Sequence, residues 1–364
     1  MAKARKARRK KARRKKTIRF GVIGPGGAGR NRTLAAAKDK AVEVVAAADT
    51  NPECIDKLEE GVGHKVERFL GPDGYKEMID TCDLDAVGIF SPHTLHYDHA
   101  MYAFDHGLHA LIEKPMVCDV GNAIETAKAA ARNKLVYLIH YQRHFEAKYV
   151  TARKLIRRGD IGDVTGFYVY MAQDWRGHSW RGDPKYSGGG QLNDSGSHYQ
   201  DILLFMTGLL PAGVRGSYDQ YYHGEKRPIP ISGSFSVELS NGAAGRLIIV
   251  GDYIRGFSDD VRILGTKGIL TMGLGSPGLT LHRPGKDPKK VACKLPRGYP
   301  ANPSENFVKL VAGRIKTNHV PALFGCQVAL LTDAMLAAGN RDRKVNCARL
   351  LKRAGYSYDD ITLE

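Results

Sequence analysis

The chain contains no apolar run approaching the roughly 20 residues that cross a bilayer, so its pattern offers no membrane span. It has no C-x-x-C pair. Its six cysteines (Cys54, Cys82, Cys118, Cys293, Cys326 and Cys347) are scattered. That excludes a zinc ribbon or a disulfide framework and implies reduced thiols in a cytoplasmic protein without a metal site. Residues 1–16 hold no acid at all, but eleven Lys or Arg. Setting those eleven aside lowers the formal net charge from +17 to +6, so the charge is concentrated in a tail. Such a block cannot bury apolar surface and is expected to be disordered. A solvated tail is the plain reading, and contact with nucleic acid the alternative. No apolar segment with a small-residue cleavage site follows the tail, which argues against a secretory signal. There is no internal repeat, and the length of 364 residues predicts two domains.

What is present begins at Thr17. Residues 17–24 (TIRFGVIG) read as a buried strand. Gly24, Pro25, Gly26, Gly27, Ala28 and Gly29 then fit G-x-G-x-x-G, and a helix follows over about 27–38. A second strand, 42–48, ends at Asp49, 20 residues past Gly29. This spacing predicts dinucleotide binding. Gly24 allows the tight turn, Gly26 lets backbone approach a pyrophosphate, and Gly29 lets helix and strand pack closely. The helix N-terminus offers N–H groups to the phosphates. Asp49 can accept from the adenosine ribose hydroxyls and would repel a 2′-phosphate. NAD is therefore favoured over NADP, with Lys57 and Lys65 as the cations nearby that work against this. Further strands at 84–90, 108–112 and 135–140 alternate with helices at 94–106 and 120–131, the signature of a doubly wound parallel sheet. Its carboxyl edge should carry Ser91, His93, His96, Glu113, Lys114 and Gln142 toward the cofactor. Lys114 stands out. It ends a buried strand, where lysine is rarely placed without a partner, and Pro115 stops the ladder behind it.

The pattern changes after Tyr141. A helix over about 147–158 precedes an alternating strand at 164–171. Residues 234–239 and 244–250, joined through Asn241-Gly242, predict a hairpin on a type I′ turn. More strands at 261–264, 269–272 and 279–282 and helices at about 305–312 and 324–338 complete an α+β domain. Its open, mostly antiparallel sheet needs cover on one face, which predicts a homodimer or homotetramer. The domains are expected at 17–141 (NAD-binding, Rossmann) and 142–364 (substrate binding and oligomerisation), after the tail 1–16. Within the second lies Gly188-Gly189-Gly190-x-Leu192-x-Asp194-x-Gly196-x-His198. On one helix, Asp194 and His198 would share a face, and histidine is the usual proton-transfer group near neutrality.

Taken together, Gly24-x-Gly26-x-x-Gly29, Ser91-Pro92-His93, Glu113-Lys114-Pro115, Gln142-Arg143 and the glycine-rich Asp194–His198 segment resemble the Gfo/Idh/MocA family over about residues 17–345. The resemblance implies a dehydrogenase acting on CH–OH groups of a sugar or polyol. The family's lysine, aspartate and histidine fall on Lys114, Asp194 and His198. Arg143, Trp175 and Trp180 are the expected sugar contacts beside them. Two alternatives share these motifs in whole or part: a redox-assisted glycosidase or lyase that recycles its cofactor, and a NAD-sensing binding protein tethered by the tail.

Overall fold

In a computed structural model of the chain, residues 17–273, 276–339 and 343–363 are described; the basic stretch 1–16 lies outside them. The first half alternates β1 (Ile18–Ile23), α1 (Gly27–Ala37), β2 (Val42–Asp49), α2 (Pro52–Val62), β3 (Glu67–Leu70), α3 (Gly74–Thr81), β4 (Ala86–Ile89), α4 (His96–Asp105), β5 (His109–Ile112), α5 (Val120–Arg132) and β6 (Tyr137–Ile139). The central strands are apolar on both faces because helices cover both sides, the normal state of a parallel sheet. All pairings are parallel, in the order β3-β2-β1-β4-β5-β6. The chain winds outward from β1 to β3 and then returns to β4. That reversal opens a crevice between the carboxyl ends of β1 and β4, where such sheets bind ligands. The sequence pattern did not reveal β3, a four-residue strand at the sheet's edge that buries only Phe69.

The second half runs through α6 (Ala147–Arg157), β7 (Val164–Asp174), the single turns α7 (Pro184–Ser187) and α8 (Gly190–Asn193), α9 (Ser197–Thr207), β8 (Pro211–Asp219), the short pair β9 (Tyr221–Tyr222) and β10 (Glu225–Lys226), then β11 (Ser232–Leu239), β12 (Ala244–Val250), β13 (Asp252–Gly265), β14 (Gly268–Gly273), β15 (Ser276–Arg283) and β16 (Lys286–Val291). Helices α10 (Pro303–Val311) and α11 (Ala322–Gly339), β17 (Val345–Asn346) and α12 (Cys347–Arg353) follow. The large sheet has nine strands, ordered β16-β15-β14-β13-β7-β12-β11-β8-β17. Only β7 and β12 run parallel, so the sheet is mixed though mostly antiparallel.

The β11–β12 turn differs from expectation. Type I′ needs positive φ at both central residues, and only Gly242 has it (87°). Asn241 instead spends its side chain on the carbonyl of Val164 and the amide of Ala243 (2.9 and 3.0 Å). Helix α11 is apolar and long enough, at 18 residues, to cross a membrane by length and composition. It is a core helix here, largely buried, and its Asp333 accepts the amide of Val120 at the start of α5 (2.8 Å).

Candidate active site

The crevice is built from strand ends. At the end of β1, Gly24 adopts φ 77°, and a Cβ there would come within 2.8 Å of the Ser91 amide nitrogen. A Cβ on Gly29 would collide with the carbonyl oxygen of Gly24, so helix α1 can approach the strand only with glycine at that position. By contrast, Cβ atoms on Gly26 and Gly27 would meet nothing within 4 Å, so the loop's outer side is open. Gly26 caps α1 with no side-chain hydrogen bond, and no acid sits in the first turn. The leading N–H groups of an 11-residue helix therefore face open space, the arrangement a pyrophosphate requires. Across the crevice, Asp49 ends β2 half-buried. One carboxylate oxygen accepts the Asn51 amide (2.9 Å), and burial raises the pKa of the acid. Lys57 and Lys65, the two cations that could have favoured a 2′-phosphate, are drawn to Glu53 and Glu59 (3.7 and 2.7 Å). These residues fit a dinucleotide and favour one without that phosphate.

At the end of β5, Lys114 meets the second half of the chain. Its ammonium donates to Asp194 Oδ1 (2.6 Å) and to the Asp194 carbonyl (3.1 Å). The side chains are 12% and 6% exposed, so the pair is nearly desolvated. The other carboxylate oxygen, Oδ2, accepts from Trp175 Nε1 (2.9 Å) and Arg181 Nε (3.1 Å). Burial opposes ionisation of Asp194, but the neighbouring positive charge, Lys114 foremost, outweighs it and holds the carboxyl far below its usual range. Asp194 and His198 do not ride on one helix as expected. Asp194 ends the single turn α8 with ψ −94°, and His198 lies in the first turn of α9. Gly196 between them would place a Cβ 2.5 Å from the Leu192 carbonyl, so glycine is required at this break.

His198 is half-buried, and its Nδ1 is buried with no hydrogen-bond partner. Burial, then the charges of Lys114 and Arg143, push its pKa well below 6.5. The ring is therefore neutral at physiological pH and free to accept a proton. Three consecutive residues after β6 also carry buried polar atoms without partners, Tyr141 Oη, Gln142 Oε1 and Arg143 Nη1, and the Tyr141 ring lies 6.2 Å from that of His198. Native interiors satisfy nearly all such atoms, so these unpartnered groups mark a place suited to bound molecules.

Several expected contacts are placed otherwise. His96 is fully buried, with ring nitrogens against the carbonyls of Pro115 (2.8 Å) and Ser91 (2.9 Å); it ties two strand ends together and is not open to a cofactor. Glu113 has one oxygen on Arg32 Nε (2.9 Å) and the other on the Lys114 amide (3.0 Å), so it fixes the lysine's backbone. Ser91 Oγ is bonded to His99 Nδ1 (2.8 Å). His93 reaches across to the second half. Its Nδ1 bonds the Ser187 carbonyl (2.9 Å), its Nε2 lies 3.8 Å from Asp194 Oδ1, and its ring meets Trp180 edge-on. Trp175 is buried and packs with Tyr222, Ile229 and Ile231; it positions Asp194 and has no face to offer a sugar ring. Three contributors escaped the sequence reading: Arg32 one turn past the glycines, His99, and Arg181, whose guanidinium lies 4.3 Å from the Trp180 ring. Only the two tryptophans hinted at the last.

Buried neutral histidines link this region to acid stability. Burial lowers the pKa of His93 and His99 to about 3 and of His140 to about 4. Between those values and 6.5 the unfolded chain binds protons that the folded one refuses. Stability is then complete above pH 6.5 and falls as pH drops below it, by about 1.4 kcal/mol per histidine per pH unit. Thermal unfolding at pH 7 and pH 5 should show a clear drop at the lower pH, and an unchanged Tm would contradict these burial assignments.

Comparison with known proteins agrees with this geometry. Residues 18–141 match a family model described as an oxidoreductase family with NAD-binding Rossmann fold, and residues 149–271 match the GFO/IDH/MocA C-terminal domain. The rhizopine catabolism protein MocA of Rhizobium meliloti is 28% identical over 253 residues, 69% of this chain and 77% of that protein. The scyllo-inositol 2-dehydrogenase (NADP(+)) of Bacillus subtilis is 30% identical over 138 residues, 37% of this chain and 38% of its own. The matched stretch likewise spans only 43% of the levoglucosan dehydrogenase of Pseudarthrobacter phenanthrenivorans. A levoglucosan dehydrogenase solved with NADH superimposes with a TM-score of 0.78 over 91% of this chain and 99% of that one; at 20% identity, the likeness establishes the fold.

Proposed function

The chain belongs to the Gfo/Idh/MocA oxidoreductase family, and on that premise we propose that it is a NAD-dependent dehydrogenase of a sugar or polyol secondary hydroxyl, with Lys114, Asp194 and His198 as its catalytic group. The observation that carries this reading is the desolvated Lys114–Asp194 pair at 2.6 Å, with a neutral His198 whose Nδ1 has no partner, and with Lys114 at the strand edge that holds the dinucleotide loop. The reactions named for relatives, inositol and levoglucosan dehydrogenases among them, support the same class, and the levoglucosan dehydrogenase structure holds NADH, although the inositol enzyme is named for NADP.

When bound, the nicotinamide supplies the hydride acceptor in oxidation, or the donor in reduction. The loop Gly24–Gly29 would hold its pyrophosphate, Asp49 its ribose hydroxyls, and Gln142 a polar edge nearer the reacting end. His198 accepts the substrate hydroxyl proton on its neutral ring. Lys114 donates an N–H to the same oxygen, so negative charge developing there meets an ammonium already fixed in place. Asp194 stays ionised and anchors that ammonium, while Trp175 and Arg181 keep the carboxylate from turning. In the reverse direction, His198 returns the proton to a ketone oxygen. A panel of sugars and polyols read by NADH formation tests the proposal; no turnover of any member would refute it.

Two further expectations follow from individual residues. For Asp49→Ala, NAD affinity should fall about 10- to 100-fold, the value of charge-assisted hydrogen bonds, with substrate affinity at saturating cofactor much less affected. Equal NAD affinity in titrations of variant and parent would remove Asp49 from the cofactor site. The pH profile is the second. Because the His198 pKa is lowered, kcat/KM for oxidation should stay level as pH falls through 6.5, where an ordinary histidine would already be protonated. A limb centred at 6.5 would contradict the assigned base.

We also place the protein in the cytoplasm as a homo-oligomer. All six cysteines are free thiols, which suits a reducing compartment. Ile254 and Phe257 on β13 are 81% and 56% exposed, which supports a second copy covering that sheet. Sedimentation as a monomer, or recovery outside the cytosolic fraction, would refute the respective statement.

A further inference from the structure

Arg143 is the cation of this site that makes no ion pair among the described residues; Glu146 acts on it only at longer range, and Asp259 through the Tyr199 hydroxyl. It follows β6, and its guanidinium stacks 4.1 Å from the Tyr199 ring centroid and 5.9 Å from that of Tyr149. Nη2 donates to the Tyr199 hydroxyl (3.2 Å), which in turn donates to Asp259 (2.9 Å). Nη1 is buried and bonds to nothing. Among the described residues, no carboxylate lies within ion-pair distance of this guanidinium, whereas the other cations around the pocket are all matched. Lys114 and Arg181 share Asp194 (2.6 and 3.1 Å), and Arg32 holds Glu113 (2.9 Å). The carboxylate of Asp194 is thus divided between two cations, and Arg143 brings a further positive charge to the site. Withdrawing a guanidinium from water with no anion beside it is costly. An oxidised nicotinamide would raise the positive charge further.

Resting on the dehydrogenase reading above, we infer that the substrate carries a carboxylate, held by Arg143 next to the reacting hydroxyl, so that the enzyme acts on a sugar acid. A planar carboxylate matches the guanidinium fork. Phosphate is the weaker match, because the loop that suits phosphates lies elsewhere, at the end of β1.

The test measures binding to the full-length protein saturated with NADH, by calorimetry. The probes are D-glucuronate, D-galacturonate and D-gluconate, each beside its uncharged amide, with D-glucose 6-phosphate as a further anion. At least one acid should bind about 10- to 100-fold more tightly than its amide, the range for a charge-assisted hydrogen bond. Arg143→Gln should erase that gap, and Arg143→Lys, which keeps the charge but loses the fork, should retain part of it. Equal affinity for every acid and its amide overturns the inference. So does a gap that survives in Arg143→Gln, tighter binding of the phosphate than of any acid, or an equal loss of NADH affinity in Arg143→Gln, which would assign the arginine to the cofactor. Failure of the dehydrogenase reading shows separately, as absence of NAD reduction with acids and neutral sugars alike.

Discussion

Replacing Lys114 with alanine is expected to lower kcat by about 10²- to 10³-fold, the typical loss when one preorganised donor to a developing oxyanion is removed. The ammonium is held at 2.6 Å by a carboxylate that is itself fixed on its far side, so no solvent molecule would arrive in an equivalent orientation. NADH affinity should stay within a few-fold, because the dinucleotide loop and Asp49 are untouched. Stability should drop as well. Breaking a buried ion pair commonly costs about 3–5 kcal/mol, but Trp175 and Arg181 continue to serve Asp194, which places this case at or below the lower end. The variant should also move the acid limb of the pH profile up toward 6.5, since the Lys114 charge is one cause of the lowered His198 pKa. Near-parental kcat with intact NADH binding would end the assignment of Lys114.

His198→Asn should be as damaging by a different route. Positioned acid–base groups contribute about 10²- to 10⁴-fold, and asparagine fills much of the same space without accepting a proton at this pH. Here kcat should fall by that range while KM changes little, since the buried Nδ1 is bonded to nothing that the substitution would strand. The variant's residual rate should rise with pH as hydroxide replaces the lost base. Single-turnover measurements with saturating NAD isolate the effect from product release. A variant that keeps the parental rate and its pH profile would show that the proton leaves by another path.

The two variants also separate the parts of the site by how they arise. Lys114 could be singled out from five neighbouring residues, because a cation at the end of an apolar strand, followed by proline, is locally anomalous. The dinucleotide fingerprint was equally legible: turn, helix start and strand-end acid all lie between Gly24 and Asp49 in one β–α–β unit, and each has a conformational reason visible in its residue type. Strand β3 was not legible, because an exposed edge strand of four residues buries too little to impose a pattern. Nor was the separation of Asp194 from His198. A spacing of four suggests one helix, but the chain breaks at Ser195-Gly196, where only glycine clears the Leu192 carbonyl. Trp175 was expected against a sugar because aromatic faces stack on sugar rings, with a place in the core as the alternative. Its burial among Tyr222, Ile229 and Ile231 could not be foreseen from neighbours, since all three lie some 50 residues downstream.

By itself, the sequence determined the alternation of strand and helix and the glycine loop with its strand-end acid. These follow from short-range rules: backbone freedom at glycine, apolar periodicity and helix-end polarity. The roles expected of Lys114, Asp194 and His198 came instead from the family resemblance. The tertiary structure alone decided the electrostatics. It brought Lys114 to Asp194 across 80 positions, gave Asp194 two further donors, withdrew His96 and Glu113 into the framework, and left Arg143 Nη1 buried without a hydrogen-bond partner. Charge pairing and desolvation depend on which side chains meet in space, and no spacing along the chain encodes that.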